Sequence, residues 1–323
     1  MKLKTVARAA EAWLGRRPVP LAVGFEVTHL CNLACTYCDR HTPLPSEMSR
    51  EQILKALGEL IDLGMAHLSF DGGEPLAHKH IEELVDFVRG RGISAYMNTN
   101  GILVPKKLDV VKKLKKVKIS MDGPASAHDL MRGEKAFERA VRGAEAARSV
   151  GVEVELTCVI ASHNVHLVDE LVDMVEKLGF RIIFQPARTS LFLDTTREDT
   201  TFMAGRDAVR AAFARVAARK RTRDAIANRW SSLRHFTQFP DDIDLPCAAG
   251  WINCTMDPEG NLYHCGQVNR GDKAHNVVAL GARAAFESLE RKGCGQCWCA
   301  RVVEENYAWG LKLGKMLPMG AEH

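Results

Sequence analysis

Three cysteines lie within one short stretch, Cys31-Asn-Leu-Ala-Cys35-Thr-Tyr-Cys38. The C-x3-C-x2-C spacing presents three thiolates to a single metal site. Three ligands suit a [4Fe–4S] cluster whose fourth iron stays open to a small molecule. Structural zinc sites are closed by a fourth ligand and more often use pairs of C-x2-C. A second group follows late in the chain: Cys247, Cys254, Cys265, Cys294, Cys297 and Cys299. Between Cys254 and Cys265, the run Asp257-Pro258-Glu259-Gly260-Asn261 is a turn joining two alternating segments, which predicts a β-hairpin with cysteines on its flanks.

The first group needs a scaffold. From about residue 21, short β-rich runs alternate with longer amphipathic segments. The predicted strands are 21–27, 66–70, 93–97, 117–121, 152–160 and 181–185. The predicted helices cover roughly 49–63, 77–90, 104–115, 135–150 and 165–178, with Gly90, Gly92, Gly151 and Gly179 at their boundaries. Six strand–helix units in series imply a parallel sheet with right-handed crossovers and outer helices. The expected fold class is α/β, a partial (β/α)6 barrel with a small cysteine-rich C-terminal domain that contains the hairpin. Barrel-type sheets carry their chemistry at the C-terminal strand ends. Cys31–Cys38, Glu74, Asn98–Asn100, Ser120–Asp122, Cys158–Ile160 and Gln185 all fall at or just after such ends, so they are expected on one rim.

Gly72-Gly73-Glu74-Pro75, Asn98-Thr99-Asn100-Gly101 and Ser120-Met121-Asp122-Gly123 each follow a predicted strand. With the cysteine triad and Tyr37, they make the chain resemble a radical S-adenosylmethionine (SAM) enzyme over roughly residues 20–190. The resemblance implies that one electron from the cluster cleaves SAM, giving a 5′-deoxyadenosyl radical that removes a substrate hydrogen atom. It implies that Gly72 and Gly73 let the backbone approach SAM and that Glu74 accepts from the methionine amino group. Ser120 and Asp122 would contact the methionine or ribose, and Tyr37 would pack near the adenine. Asn98, Asn100, Val159 and Gln185 would line the pocket. Asp122 as a turn cap remains an alternative, and Arg132 fits either a carboxylate of SAM or substrate or an ordinary ion pair.

The later cysteines resemble the SPASM/twitch extension of such enzymes, which holds auxiliary iron–sulfur clusters. The full pattern has further cysteines after Cys299, so one auxiliary [4Fe–4S] cluster is expected. Its expected ligands are Cys247, Cys265, Cys294 and Cys297, with Cys254 and Cys299 as alternatives; zinc at the same four is the competing reading. Cys158, inside a predicted strand, reads as a buried inert thiol. His264 and the Glu304-Glu305-Asn306 group read as structural or solvated.

The division expected along the chain is an N-terminal helix (1–20), the barrel (21–190), a helical connector (191–240) with its clearest helix over 203–221, and the auxiliary-cluster domain (241–323). A net charge of +4 over 323 residues gives no reason to expect nucleic acid. The run Lys106 to Lys116 has helical spacing and reads as a solvated face. No segment has a membrane-spanning apolar run or an export signal, so a cytoplasmic location and reduced, metal-ligating cysteines are expected.

The favoured activity is oxidation: hydrogen abstraction, proton loss to a base, and transfer of the second electron to the auxiliary cluster. A small protein such as flavodoxin or ferredoxin would supply the first electron, and the substrate is a small molecule or a peptide. Epimerisation, with Cys254 or Cys299 as hydrogen donor, is the redox-neutral rival. Peptide maturation is a third reading, set back because about 30 residues before Cys31 are too few for a peptide-recognition domain. A two-cluster electron carrier is the non-enzymatic reading, and it has no use for a SAM site.

Overall fold

The computed structural model describes residues 7, 10–12, 14, 17–44, 46–188, 200–241, 245–266, 275–290, 295 and 297–309. Most of the expected N-terminal helix lies outside these residues.

Six parallel strands follow the expected series: β1 (Ala22–Glu26), β2 (His67–Asp71), β3 (Ser94–Thr99), β4 (Lys116–Ser120), β5 (Glu153–Ile160) and β6 (Arg181–Pro186). The hairpin strands β7 (Asn253–Met256) and β8 (Leu262–Tyr263) complete one sheet in the order β6-β5-β4-β3-β2-β1-β7-β8. β7 runs parallel to β1, and β8 is antiparallel to β7. The hairpin thus extends the barrel sheet itself.

Strands β2 to β4 alternate in burial, while β1 and β6 carry continuous buried runs. Val23 and Phe25, Leu68 and Phe70, Ala95 and Met97, Val117 and Ile119, and Leu156 and Cys158 are buried toward the outer helices. The intervening residues face the lumen and are mostly polar, such as Ser69, Asp71, Asn98, Lys118, Ser120 and Glu155. Parallel strands buried on both faces normally read as continuous apolar runs. Here Lys116 pairs with Glu153 at 2.8 Å and Lys118 with Glu155 at 3.3 Å, so the lumen is a polar, charge-balanced space.

The outer layer begins with α1 (Arg50–Leu63), started by a capping box of Ser49 and Gln52. It continues with α2 (Ile81–Gly90), a single turn α3 (Leu108–Val111), α4 (Ala125–Arg132), α5 (Ala136–Ser149) and α6 (Val168–Lys177). The helix expected over 104–115 is broken. A 3-10 turn at Val104–Lys106 carries Pro105, and Lys107 at φ −130° interrupts the run before α3. Its lysines therefore do not share one helix face: Lys113 pairs with Glu82 and Asp86, while Lys116 lies in β4.

The connector forms α7 (Arg206–Lys220) and α8 (Trp230–Phe236), followed by α9 (Val277–Leu280), α10 (Ala282–Glu287) and α11 (Ala300–Trp309). Sequence periodicity missed α11. This helix bridges the two ends of the split barrel. Asn253 on β7 donates to Glu305 at 3.2 Å, and the Asn306 side chain accepts from Ala248 N at 2.9 Å. On the β6 side, Ala300 N donates to Gln185 at 3.4 Å. The Glu304 carboxylate accepts from Ser232 Oγ and Arg229 N, both at 2.8 Å. Among the described residues no helix is long and apolar enough to cross a membrane.

Candidate active site

The C-terminal rim is built on two glycines. Gly72 has φ +124°, and a Cβ there would lie 2.3 Å from the Thr28 carbonyl oxygen. A Cβ on Gly73 would lie 2.4 Å from the Leu30 carbonyl oxygen. No side chain fits either gap. The closeness lets Gly73 N donate to Thr28 O and Glu74 N to Leu30 O, each at 2.8 Å. The turn after β2 is thereby fastened to the segment that enters Cys31. These glycines thus support the cysteine loop.

Glu74 belongs to the same turn. It is fully buried, and burial is the main reason its carboxyl pKa is raised. Its carboxylate accepts from Thr99 Oγ1 at 2.8 and 2.9 Å, Asn100 N at 2.9 Å and Leu76 N at 3.1 Å. The carboxylate is engaged by protein donors, so it ties β3 to the glycine turn. Thr99 carries no signal of its own between two asparagines. Asn100 extends the chain of contacts by donating to Asn32 Oδ1 at 2.7 Å and to Cys31 Sγ at 3.8 Å.

A second support holds the other end of the cysteine loop. The Tyr37 hydroxyl donates to Asp122 at 2.8 Å, and Arg132 Nε donates to the same carboxylate oxygen at 2.6 Å. The Arg132 guanidinium also lies over the Tyr37 ring, 5.7 Å from its centroid. Asp122 is fully buried, so it clamps the loop and is not free to contact a nucleoside. Burial alone would push its carboxyl up, but the charge of Arg132, with His128 and the hydrogen bonds from Arg132 and Tyr37, holds it below the usual range. Arg132 is therefore an internal ion pair, and the hydroxyl of Tyr37 is spent on the clamp.

Cys31, Cys35 and Cys38 are half-buried thiols within electrostatic reach of one another. Burial pushes Cys31 up and Cys35 to about 11 despite the nearby Arg132. Metal binding here must therefore release protons. Ser120 and Val159 are half-buried, while Gln185 holds the start of α11.

Asp71, which the motif reading passed over, ends β2 on the lumen face. It accepts hydrogen bonds from Asn98 and Ser69. Burial raises its pKa to about 6, against the hydrogen bond from Asn98 and the charge of Arg301. A carboxyl raised on folding stabilises the fold only while it stays protonated, and that contribution is lost as pH rises through the folded value. Asp71→Asn is therefore expected to gain thermal stability over the parent as pH rises from 3.8 to about 6, with no further gain above. Parallel melting curves across that range check it, and a pH-independent difference would refute it.

In the C-terminal region, Cys265, Cys297 and Cys299 lie within electrostatic reach of the Arg188 guanidinium. Burial lowers its pKa, and Arg188 Nη1 is buried with no hydrogen-bond partner. Asn306 Nδ2 reaches Cys297 Sγ at 3.7 Å. Cys247 adjoins Ala248, which is bonded to the same asparagine. Cys294 lies outside the described residues. Cys254 is 2% exposed and sits between the lumen-facing Asn253 and Thr255, so its thiol points into the outer core. Burial pushes it up to about 12. This placement sets Cys254 apart from the lumen-facing residues of β7. Among the described residues, no three His, Cys, Asp or Glu side chains converge on a single-ion site. A four-iron cube is wider than one ion, and the grouped thiols with an unpartnered cation fit such an anionic cluster.

Residues 25–178 match the family described as the radical SAM superfamily. The chain is 31% identical over 170 residues to the AdoMet-dependent heme synthase of Nitratidesulfovibrio vulgaris, covering 50% of this chain and 46% of that protein. It thus spans less than half the length of that relative. It is 27% identical over 307 residues to the PqqA peptide cyclase of Rhizobium meliloti, covering 91% of this chain and 78% of that protein. The fold matches the structure of native anSMEcpe with bound AdoMet and the Cp18Cys peptide, with a TM-score of 0.66 and 20% identity over 83% of this chain and 80% of that one.

Proposed function

We propose that this protein is a SAM-cleaving enzyme that oxidises a peptide, with a second, SPASM/twitch-type cluster at its C-terminal cysteines. The observation that carries the reading is the extent of likeness to the peptide cyclase. It runs over 91% of the chain, and so beyond residue 178, where the radical SAM match ends.

Cys31, Cys35 and Cys38 would hold the first cluster, and Cys265 and Cys297 would hold the second with Cys299, Cys247 or Cys294. When bound, these groups and SAM supply a radical that removes a hydrogen atom and an acceptor for one further electron. The protein's part is placement. Its two glycines and Glu74 hold the cysteine loop at the rim. The polar lumen offers Asn98 and Ser120 to peptide amides. Asp71, held near a neutral-range pKa, is suited to take the proton that an oxidised carbon centre sheds.

Reduced, anaerobically reconstituted protein is expected to convert SAM to 5′-deoxyadenosine. Short peptides encoded beside its gene should lose two hydrogens, read by mass spectrometry. A full iron complement without deoxyadenosine would favour an electron carrier. Solvent deuterium appearing in an otherwise unchanged peptide would favour epimerisation with Cys299 as donor.

A further inference from the structure

We propose that Arg188 is the cation that faces the C-terminal cluster and raises its reduction potential. The inference rests on the reading of a second cluster above. Arg188 follows β6 at the barrel mouth. The charged groups that act on its guanidinium are Cys299, Cys265 and Cys297 on one side and Arg40, of like sign, on the other. Its Nη1 is sealed from solvent with no acceptor. Arginine cannot shed its proton in a protein, and a buried donor atom left without an acceptor is costly. The arrangement makes physical sense when an anion occupies the space between the sulfurs.

A thiolate-ligated four-iron cluster is such an anion, and reduction adds to its negative charge. A fixed cation at the sulfurs therefore favours the reduced form, since net charge and hydrogen bonds to sulfur set these potentials. Asn306 supports the assignment independently, because it also directs an N–H at a cysteine sulfur, that of Cys297 at 3.7 Å. A carboxylate of the substrate is the competing occupant. The reach of three thiols from two separate segments to one guanidinium favours the cluster.

The test is an EPR-monitored potentiometric titration of the reconstituted holoenzyme and its Arg188→Met and Arg188→Lys variants. Arg188→Met should shift the reduction equilibrium of the C-terminal cluster about tenfold toward the oxidised form, a fall of about 59 mV for one electron. The rim cluster should keep its potential in the same sample. Arg188→Lys retains the charge and should recover most of the shift, and Arg188→Gln, polar but uncharged, should show the same fall if the Met variant does not fold. An unmoved potential in Arg188→Met, with weakened peptide binding, would overturn the proposal in favour of a substrate carboxylate. If protein lacking Cys31, Cys35 and Cys38 binds no iron at all, the second cluster itself falls and this role with it. Iron present with an unmoved potential removes only the role of Arg188.

Discussion

Replacing Cys31, Cys35 and Cys38 together with Ala is expected to abolish SAM cleavage and to remove about four irons while leaving the C-terminal iron in place. The three thiols leave one short loop, and each is half-buried at the barrel rim. They are separated in the chain from Cys265, Cys297 and Cys299, which act electrostatically on Arg188. The loop is held by backbone bonds from Gly73 and Glu74 to Thr28 and Leu30, none of which needs a thiol. The triple variant should therefore fold. Iron analysis and deoxyadenosine assays on one anaerobic preparation decide the matter. Surviving cleavage, or loss of all iron, would each count against two separate sites.

The next largest effect is expected at Asp122. In Asp122→Ala, Arg132 stays buried without its partner, and removal of one member of a buried pair costs about 3–5 kcal/mol. The Tyr37 hydroxyl loses its acceptor as well, and Tyr37 lies between Cys35 and Cys38. The variant should unfold at lower denaturant and lose rim iron before C-terminal iron. Because Asp122 is held below the usual range in the fold, its stabilising contribution is present above the ordinary value of 3.8. The contribution fades as pH falls through the depressed one. The gap between parent and variant should thus be constant near neutrality and narrow in strong acid. Equal denaturant midpoints at neutral pH would remove Asp122 from the role of clamp.

The strands, five of the helical segments and the rim motifs were legible in the chain because each depends on neighbours a few residues away. Alternation fixes which face of a strand is buried, and a C-x3-C-x2-C loop brings its thiols together whatever surrounds it. Glu74 and Asp122 stood out for the same reason, yet their partners did not. Thr99 and Asn100 lie 25 and 26 residues from Glu74, and Tyr37 lies 85 residues from Asp122. No local pattern records that these pairs meet. Strand parity, read only once β7 was seen to pair with β1, turned Cys254 away from the lumen. Packing of α11 across the barrel opening, a helix with little periodicity of its own, set Asn306 beside Cys297. Sequence alone thus determined which residue types stand at the strand ends. Tertiary structure decided which of them are locked to one another, because a buried carboxylate or cation must take the nearest partner that long-range packing supplies.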